Sequence, residues 1–339
     1  MTQMPEPCAI REVDPEDIAL NSEQWLNADA PWVARGFTGN WPLVQAAEQG
    51  DAAFLDYLLR FCTDKKVSAF LGEPEIQGRF FYNANLSGFN FVQLDTTLKQ
   101  LADKLQFLSA TEQPPSLYMG STNLDHWLPG LGDANQLGLT LPPALASLWL
   151  GNHSIVAPHF DYPANIACCV AGVRRFTLFP PDQVANLYIG PWDLTPAGQP
   201  ISLVDIKNPD LEKYPRFEDA WRCAHTTDLQ PGDVIYIPSL WWHQVESLAK
   251  VNGLINFWWA QQQPALGAPM DAFTHALLSI KQLPRPEREA WRALFDYYVF
   301  SESATDRDYW PSDRPDRTCV IEDPLARQLR AELTNHLRR

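Results

Sequence analysis

Three residues could together bind a metal ion: His159, Asp161 and His243. His159 and Asp161 are separated by one residue, and in a β-strand residues i and i+2 point to the same face, so an imidazole and a carboxylate would lie side by side. His243 follows a Pro-Gly-Asp turn at 231–233 and a short apolar run typical of a strand. Two histidines and one carboxylate form a facial triad that holds Fe(II) and leaves coordination positions open. The His-x-Asp pair alone is a weak signal, and the downstream turn and histidine make it moderately specific.

A closed zinc site is not indicated, because it would need four cysteine or histidine ligands at close spacing. The six cysteines are scattered and contain no Cys-x-x-Cys pair: Cys8, Cys62, Cys168, Cys169, Cys223 and Cys319. This usage favours reduced thiols in the cytoplasm. The adjacent Cys168 and Cys169 could sense redox state, but packing as small apolar side chains is the favoured interpretation.

Residues 116–263 must position the triad and are predicted to form a β-rich catalytic core. Short runs of β-branched and aromatic residues alternate there with Pro, Gly and Asp turns, which favours an antiparallel sandwich or barrel. The predicted strands are 116–120, 146–151, 166–170, 175–179, 234–238 and 254–259. An aromatic-rich insert lies at about 181–230. The chain between Asp161 and His243 is long enough for several strands to bring these two residues together.

Two flanking regions adjoin this core. Residues 1–115 are predicted to form an N-terminal arm and a helical and β support region, including a helix over 91–107 that starts near an Asn90 cap. In residues 264–339 the helical period returns, and Pro286 suits the first turn of a helix. A second apolar stripe consists of Leu325, Leu329, Leu333 and Leu337. Amphipathic helices beside a β-body either cover it or pair with a second subunit.

Composition excludes several classes of protein. There are 26 Lys and Arg against 41 Asp and Glu, giving a formal charge of −15, which argues against nucleic acid as the main partner. A hydrophobic fraction of 45% is too high for a disordered chain. The first residues lack the basic start and apolar run of a signal peptide, and no apolar stretch approaches the roughly 20 residues of a membrane helix. A cytoplasmic protein without a membrane partner is expected.

The motifs PHFDYPANIACCVAGVRRFTLFPPDQ, PGDVIYIPSLWWHQVES and LINFWW carry a family resemblance. They resemble the cupin-like branch of the JmjC oxygenases, which are Fe(II)- and 2-oxoglutarate-dependent enzymes similar to the asparaginyl hydroxylase called factor inhibiting HIF. The resemblance covers roughly residues 31–260. It implies a mainly β protein with flanking helices, namely a double-stranded β-helix (cupin or jelly-roll) core with a C-terminal helical dimerisation region.

The resemblance also implies a role for each site residue. The metal ligands, which are the catalytic residues, fall on His159, Asp161 and His243. The cofactors implied are Fe(II), the cosubstrate 2-oxoglutarate and O2.

The resemblance implies four residues that bind the cosubstrate. Arg174 stands where the family has a lysine, and a guanidinium can hold the distal carboxylate of 2-oxoglutarate with two parallel hydrogen bonds. Tyr118 matches a tyrosine whose hydroxyl meets the same carboxylate, and Asn165 and Asn256 match amides that line the cosubstrate. Val156 stands where family members often have a threonine, so one hydrogen bond to 2-oxoglutarate is absent.

The implied activity is hydroxylation of a substrate C–H bond while 2-oxoglutarate is converted to succinate and CO2. A peptide or protein side chain is the expected substrate, and hydroxylation is preferred over lysine demethylation because no histone-reading or zinc module is apparent. Two alternatives stay open. The insert at about 181–230 could roof the pocket of a small-molecule oxygenase, or the fold could serve a non-catalytic binding protein. A homodimer through the C-terminal helices is expected from the similar region of relatives.

Overall fold

The structure is a computed structural model, and it describes residues 4–260, 266–301, 321 and 323–338. The chain divides into two compact units, Met1–Ala260 and Gln261–Arg339. The first unit is built on two β-sheets. The second contains helices.

The first sheet has six strands. Their order is β1 (Cys8–Ala9), β12 (His225–Leu229), β11 (Arg174–Phe179), β14 (Trp242–Ser247), β9 (Ser154–Phe160) and β5 (Arg79–Phe80). The neighbours β12, β11, β14 and β9 pair antiparallel, whereas the short edge strands β1 and β5 pair parallel.

The second sheet has nine strands. Their order is β2 (Arg11–Glu12), β3 (Trp32–Ala34), β13 (Val234–Ile237), β10 (Ala164–Ala171), β15 (Asn252–Trp259), β8 (Leu145–Gly151), β7 (Ser116–Asn123), β4 (Lys66–Gly72) and β6 (Val92–Thr97). All of these pairs are antiparallel except β2 with β3.

The two sheets pack face to face. Phe176 and Leu178 of the six-stranded sheet share one buried cluster with Ala167, Cys169 and Leu254 of the nine-stranded sheet. Side chains alternate between the faces of a strand, so every second residue of β10 and β15 points to this interior. The expected mainly β architecture with flanking helices is confirmed, and it is consistent with a cupin fold.

Strand β10 is buried on both faces, which decides the surroundings of the adjacent cysteines. Cys168 joins the core cluster on the helix-covered face of its sheet, and Cys169 joins the cluster between the sheets. Burial raises the pKa of the Cys169 thiol to about 12. Both thiols therefore pack as small apolar side chains.

Helices of the first unit cover the outer face of the nine-stranded sheet. Leu43, Phe54 and Leu105 of three such helices share a buried cluster with Val170 and Ile255 of the sheet. The helices on this face are α1 (Pro15–Leu20), α2 (Ser22–Leu26), α3 (Pro42–Glu48), α4 (Asp51–Leu59), α5 (Leu98–Ser109), α6 (Leu124–Trp127) and α7 (Leu131–Ala134). One more helix, α8 (Phe217–Arg222), packs on the six-stranded sheet.

The predicted helix over 91–107 is wrong in its first third. Residues Val92–Thr97 form β6, which pairs with β4, and α5 begins only at Leu98. Thr97 caps α5: its side chain accepts from the Gln100 N–H while Gln100 accepts from the Thr97 N–H. This reciprocal capping box sets the helix start.

The insert predicted at about 181–230 ends in a core strand, because His225–Leu229 is β12. The preceding residues include a 3-10 turn at Pro181–Ala185 and α8. Their apolar side chains Leu187, Val204 and Phe217 pack with Phe179 and Trp242 of the six-stranded sheet. The insert is thus anchored by its own small core.

The second unit consists of helices in its described residues. They are α9 (Pro269–Ile280), α10 (Arg285–Phe295), which continues into a π-helical turn at Asp296–Phe300, and α11 (Asp323–Leu337). Dimerisation through this region stays a prediction. Among the described residues, no helix is long and apolar enough to cross a membrane.

Candidate metal and cosubstrate site

The three predicted metal ligands meet at one end of the space between the sheets. His159 on β9 pairs directly with His243 on β14, and their ring centroids are 4.4 Å apart. Asp161 follows the end of β9, and its Oδ2 lies 3.6 Å from His243 Nε2. One donor atom from each residue lies within 4.8 Å of the others, so the three side chains could hold one metal ion.

The backbone fixes which ring nitrogens are available. His159 Nδ1 lies 2.9 Å from the Ala157 carbonyl oxygen, and His243 Nδ1 lies 3.0 Å from that of Trp241. A neutral imidazole that donates through Nδ1 keeps its lone pair on Nε2. Such outer hydrogen bonds orient metal-binding histidines. Both Nε2 atoms are therefore prepared as ligands.

Burial and the neighbouring side chains together favour neutral imidazoles and an ionised carboxylate at this end of the cavity. Burial, followed by the neighbouring His243, lowers the pKa of His159 to about 4, and Asp161 counteracts only part of this. Burial alone would raise the pKa of Asp161, but the two adjacent imidazoles outweigh it and hold that pKa below its usual value. Neutral imidazole and ionised carboxylate are the ligand forms.

The other end of the same space contains Arg174. On β11 it pairs with Ser247 of β14, four residues along that strand from His243, which is a rise of about 13 Å. Arg174 is only 3% exposed, and its Nε and Nη2 have no hydrogen-bond partner among the described residues. Burial lowers the pKa of its guanidinium. The neighbouring Arg175 is exposed and pairs with Asp228 at 2.7 Å.

Tyr118 lies near Arg174 on the opposite sheet. Burial raises the pKa of Tyr118 well above its usual value, although the positive charge of Arg174 opposes this. The phenol therefore stays a neutral O–H donor. A carboxylate at this end would meet a cation and a hydroxyl, as the resemblance implies.

Asn165 and Asn256 form a chain of hydrogen bonds along the nine-stranded sheet. Trp149 Nε1 donates to Asn256 Oδ1 at 2.6 Å, and Asn256 Nδ2 donates to Asn165 Oδ1 at 3.3 Å. The chain ends at Asn165, whose amide nitrogen has no acceptor among the described residues and could donate to a ligand.

A cavity of about 320 Å³ joins the two ends. All seven predicted site residues line it, as does Val156. An aromatic wall consists of Phe70, Phe80, Phe91, Trp149 and Trp258, of which only Trp258 lies in one of the three sequence motifs. Phe70 and Phe80 come from β4 and β5, and Phe91 directly precedes β6.

The insert contributes the rest of the wall. Pro196, Ala197, Gly198 and Ile201 line the cavity. Ser202 N–H donates to the Pro158 carbonyl at 2.8 Å, next to the ligand His159. The Tyr82 hydroxyl donates to the Leu194 carbonyl at 2.7 Å, which fixes the insert over the strands.

These residues fit a metal ion and a dicarboxylate. Two prepared Nε2 atoms and one carboxylate match Fe(II), and a buried guanidinium that lacks an anion matches a carboxylate about one cavity length away. A buried cation without a partner is costly, so its presence points to a ligand.

Comparison with known proteins defines the family. A profile of the cupin-like domain family matches residues 19–264, and the chain belongs to this family. Human (Homo sapiens) HSPB1-associated protein 1 is 31% identical over 196 residues, which cover 56% of this chain and 37% of that protein. The chain thus corresponds to little more than a third of that relative's length.

Other relatives are JmjC proteins. The lysine-specific demethylase JMJ31 of Arabidopsis thaliana is 35% identical over 101 residues, covering 30% of this chain and 18% of that protein. JmjC domain-containing protein F of Dictyostelium discoideum is 24% identical over 291 residues, covering 73% of this chain and 60% of that protein. The resemblance to JmjC-type cupins is confirmed. Members of that group typically are 2-oxoglutarate-dependent oxygenases that use Fe(II).

Proposed function

We propose that the protein is an Fe(II)- and 2-oxoglutarate-dependent oxygenase that hydroxylates a C–H bond on a peptide or protein side chain. The observation that carries this proposal is a single cavity with a prepared His-Asp-His triad at one end and a buried, unpaired guanidinium at the other. Because both ends line one cavity, a single dicarboxylate bound there would contact the metal and the guanidinium.

Each residue has a defined task. His159, Asp161 and His243 would hold Fe(II), and Arg174 would bind the distal carboxylate of 2-oxoglutarate through two N–H groups. The Tyr118 hydroxyl would donate a hydrogen bond to the same carboxylate. When bound, Fe(II) with 2-oxoglutarate and O2 supplies the oxidation that converts a C–H bond to an alcohol while the cosubstrate becomes succinate and CO2.

The cavity walls give the ligands a dry surrounding. Phe70 packs edge-on against Phe91 with ring centroids 5.4 Å apart, and Phe80 lies 5.6 Å from Tyr118. An aromatic surface of this kind disfavours water, which would strengthen the pairing of Arg174 with a carboxylate. It also protects the reacting centre from side reactions.

A peptide or protein substrate is supported by one relative. The Arabidopsis protein is a lysine-specific demethylase, so a related protein acts on an amino-acid side chain. A small-molecule substrate is the second candidate, because the insert residues 196–201 form part of the cavity wall and the volume is at the lower end for ligand pockets. These two candidates can be separated by measuring succinate formation with peptide mixtures and with small metabolites as the second substrate.

The first test removes one ligand. His159→Ala should reduce the conversion of 2-oxoglutarate to succinate by about 100-fold or more, because a triad member is lost. Succinate formation can be followed without a second substrate. His126→Ala is the matched control, since it removes an exposed imidazole elsewhere on the first unit. Unchanged turnover in His159→Ala would contradict the proposed site.

Metal binding tests the non-catalytic alternative. Protein purified without air should bind one equivalent of Fe(II) or Mn(II), and His159→Ala should bind less. Absence of Fe(II), Mn(II) and Ni(II) uptake by the unaltered protein would favour a cupin-shaped binding protein.

A further inference from the structure

Trp258 has a hydrogen-bond donor that the protein does not use. It lines the cavity, and its indole Nε1 is shielded from solvent without a partner among the described residues. A buried donor left unpaired destabilises the folded protein. Such a group in a cavity is expected to serve a ligand.

The register places Trp258 at the metal end. Trp258 pairs with Asn165, which follows Asp161 by four residues at the start of β10. Tyr118, beside Arg174, is level with Gly151 and Asn252 at the opposite end of β15. Ring contacts join the two: the Tyr118 ring lies 6.1 Å from that of Trp149, which in turn lies 5.5 Å from that of Trp258. The free indole N–H is therefore two ring contacts away from Tyr118, on the side of the metal triad.

Trp149 is an internal comparison. Its ring lies 5.5 Å from that of Trp258 at 86°, so the two indoles pack edge to face in one wall. The Trp149 N–H is used, because it donates to Asn256 Oδ1. Two neighbouring indoles in the same cavity thus differ: one supports the protein and the other has no internal acceptor among the described residues.

The charges of the cavity indicate which acceptor fits. Arg174 is the permanently cationic side chain among the described residues that line it, and it lies at the far end. In the loaded protein the metal and Arg174 would each attract a carboxylate of 2-oxoglutarate, which leaves the Trp258 N–H for an acceptor that needs no cation. A neutral oxygen, such as an amide carbonyl, can accept from an indole N–H without a countercharge.

We propose that the indole N–H of Trp258 donates to an amide carbonyl oxygen of the substrate and so positions the substrate beside the metal triad. The inference rests on the proposed oxygenase function and narrows its substrate to molecules with a neutral carbonyl near the oxidised carbon. Trp258 acts as a positioning residue. The same contact would admit a peptide backbone or a carboxamide side chain.

The test observes the indole N–H groups by NMR of the full chain labelled with 15N. Trp258→Phe and Trp149→Phe assign the two signals and keep an aromatic ring at each position. The protein is loaded with Zn(II), a diamagnetic substitute for Fe(II), and with 2-oxoglutarate, and is then titrated with N-methylacetamide. A saturable downfield shift of the Trp258 signal is expected, with Trp149 unmoved. Sodium acetate should give a smaller shift.

Three results would overturn the inference. Zn(II) and 2-oxoglutarate alone could move Trp258 to its bonded position, which would assign the donor to the cosubstrate. No shift with N-methylacetamide would show that no acceptor reaches it, and a larger shift with acetate would reject the neutral acceptor. If calorimetry of the same protein shows that neither Zn(II) nor 2-oxoglutarate binds, the proposed function fails, and titration of the metal-free protein still decides the role of Trp258.

A kinetic measurement separates positioning from structure. With any peptide that supports turnover, Trp258→Phe should raise the Michaelis constant for the peptide by about tenfold. The Michaelis constant for the cosubstrate should stay unchanged. Equal increases in both constants would indicate general damage to the cavity and would contradict the assigned role.

Discussion

The two ends of the cavity treat buried charge in opposite ways. At the metal end the ionised Asp161 lies 3.6 Å from His243, and both imidazoles donate to backbone carbonyls. At the other end Arg174 is buried, and two of its nitrogens have no partner among the described residues. The metal end thus offers acceptor atoms to a cation, whereas the arginine end offers a cation to an anion.

This difference indicates which end of the cavity changes the stability of the protein most when a ligand binds. Burying a cation without a partner is costly, and the anionic group of a bound ligand would remove that cost. The metal end tolerates the absence of a ligand better, because the Asp161 side chain is 18% exposed and both imidazoles donate to the backbone. Binding of 2-oxoglutarate should therefore stabilise the protein mainly through Arg174.

The largest expected effect comes from Arg174→Met. Affinity for 2-oxoglutarate should fall at least about 30-fold, because a buried charge partner is removed. The same variant should be more stable than the unaltered protein in the absence of 2-oxoglutarate, by about 1 to 4 kcal/mol, since no unpaired charge is buried. Urea unfolding with and without 2-oxoglutarate measures both effects.

Arg175→Met is the matched control. Arg175 is the next residue on β11, points to solvent and pairs with the exposed Asp228. Its loss should leave the affinity for 2-oxoglutarate unchanged. If Arg174→Met lowers the stability without ligand, the guanidinium is a structural group and the contrast between the two ends fails.

The choice between Arg174 and Arg175 was accessible from the sequence. Side chains alternate along a strand, so only one of two neighbours can face the interior, and the family resemblance selected Arg174. The His-x-Asp spacing likewise fixed two of the three triad members. These features depend on local geometry and on motifs that a single sequence contains.

Other features depend on contacts between distant segments. Residues Val92–Thr97 read as part of a helix, but pairing with β4 makes them a strand, although the Thr97 and Gln100 capping box marked the helix start. The unpaired state of Trp258 could not be predicted, because it depends on what lies around one nitrogen. The contribution of Phe70 to the cavity wall depends on the same long-range pairing.

The metal end should respond to pH where the arginine end does not. The His159 pKa of about 4 lies below the unfolded value near 6.5, so the unfolded chain binds more protons between these values. The contribution of neutral, buried His159 to the free energy of unfolding is present above pH 6.5 and is lost as the pH falls towards 4. From pH 7 to pH 5 the metal-free protein should lose about 2 kcal/mol through this residue.

Comparison with His159→Gln isolates that contribution. Urea unfolding at pH 7 and pH 5 should show a smaller loss in this variant, because no imidazole is buried at that position. Arg174→Met should keep the full pH dependence, since the burial of Tyr118 raises the pKa of that phenol and it does not titrate in this range. An identical loss in His159→Gln and the unaltered protein would place the pH dependence outside the metal end.

The smallest expected effect tests the space between the two ends. Val156 on β9 pairs with Val245 on β14 and lies between Ser154 and His159 along β9. Val156→Thr adds the hydroxyl that the resemblance expects there and should tighten 2-oxoglutarate binding by about two- to tenfold. Without the ligand, the added hydroxyl has less to pair with, so stability should fall slightly. Calorimetric titration and urea unfolding measure these changes.

Val170→Thr makes the same chemical change on β10, in the core that faces the helices and outside the cavity lining, and should not tighten binding. Val156→Thr would then have the opposite signature to Arg174→Met: stronger binding with a less stable free protein. If Val156→Thr leaves the affinity unchanged, the cosubstrate does not pass along β9 between the triad and Arg174. The two ends would then bind separate molecules, and the cavity would have to be interpreted as two sites.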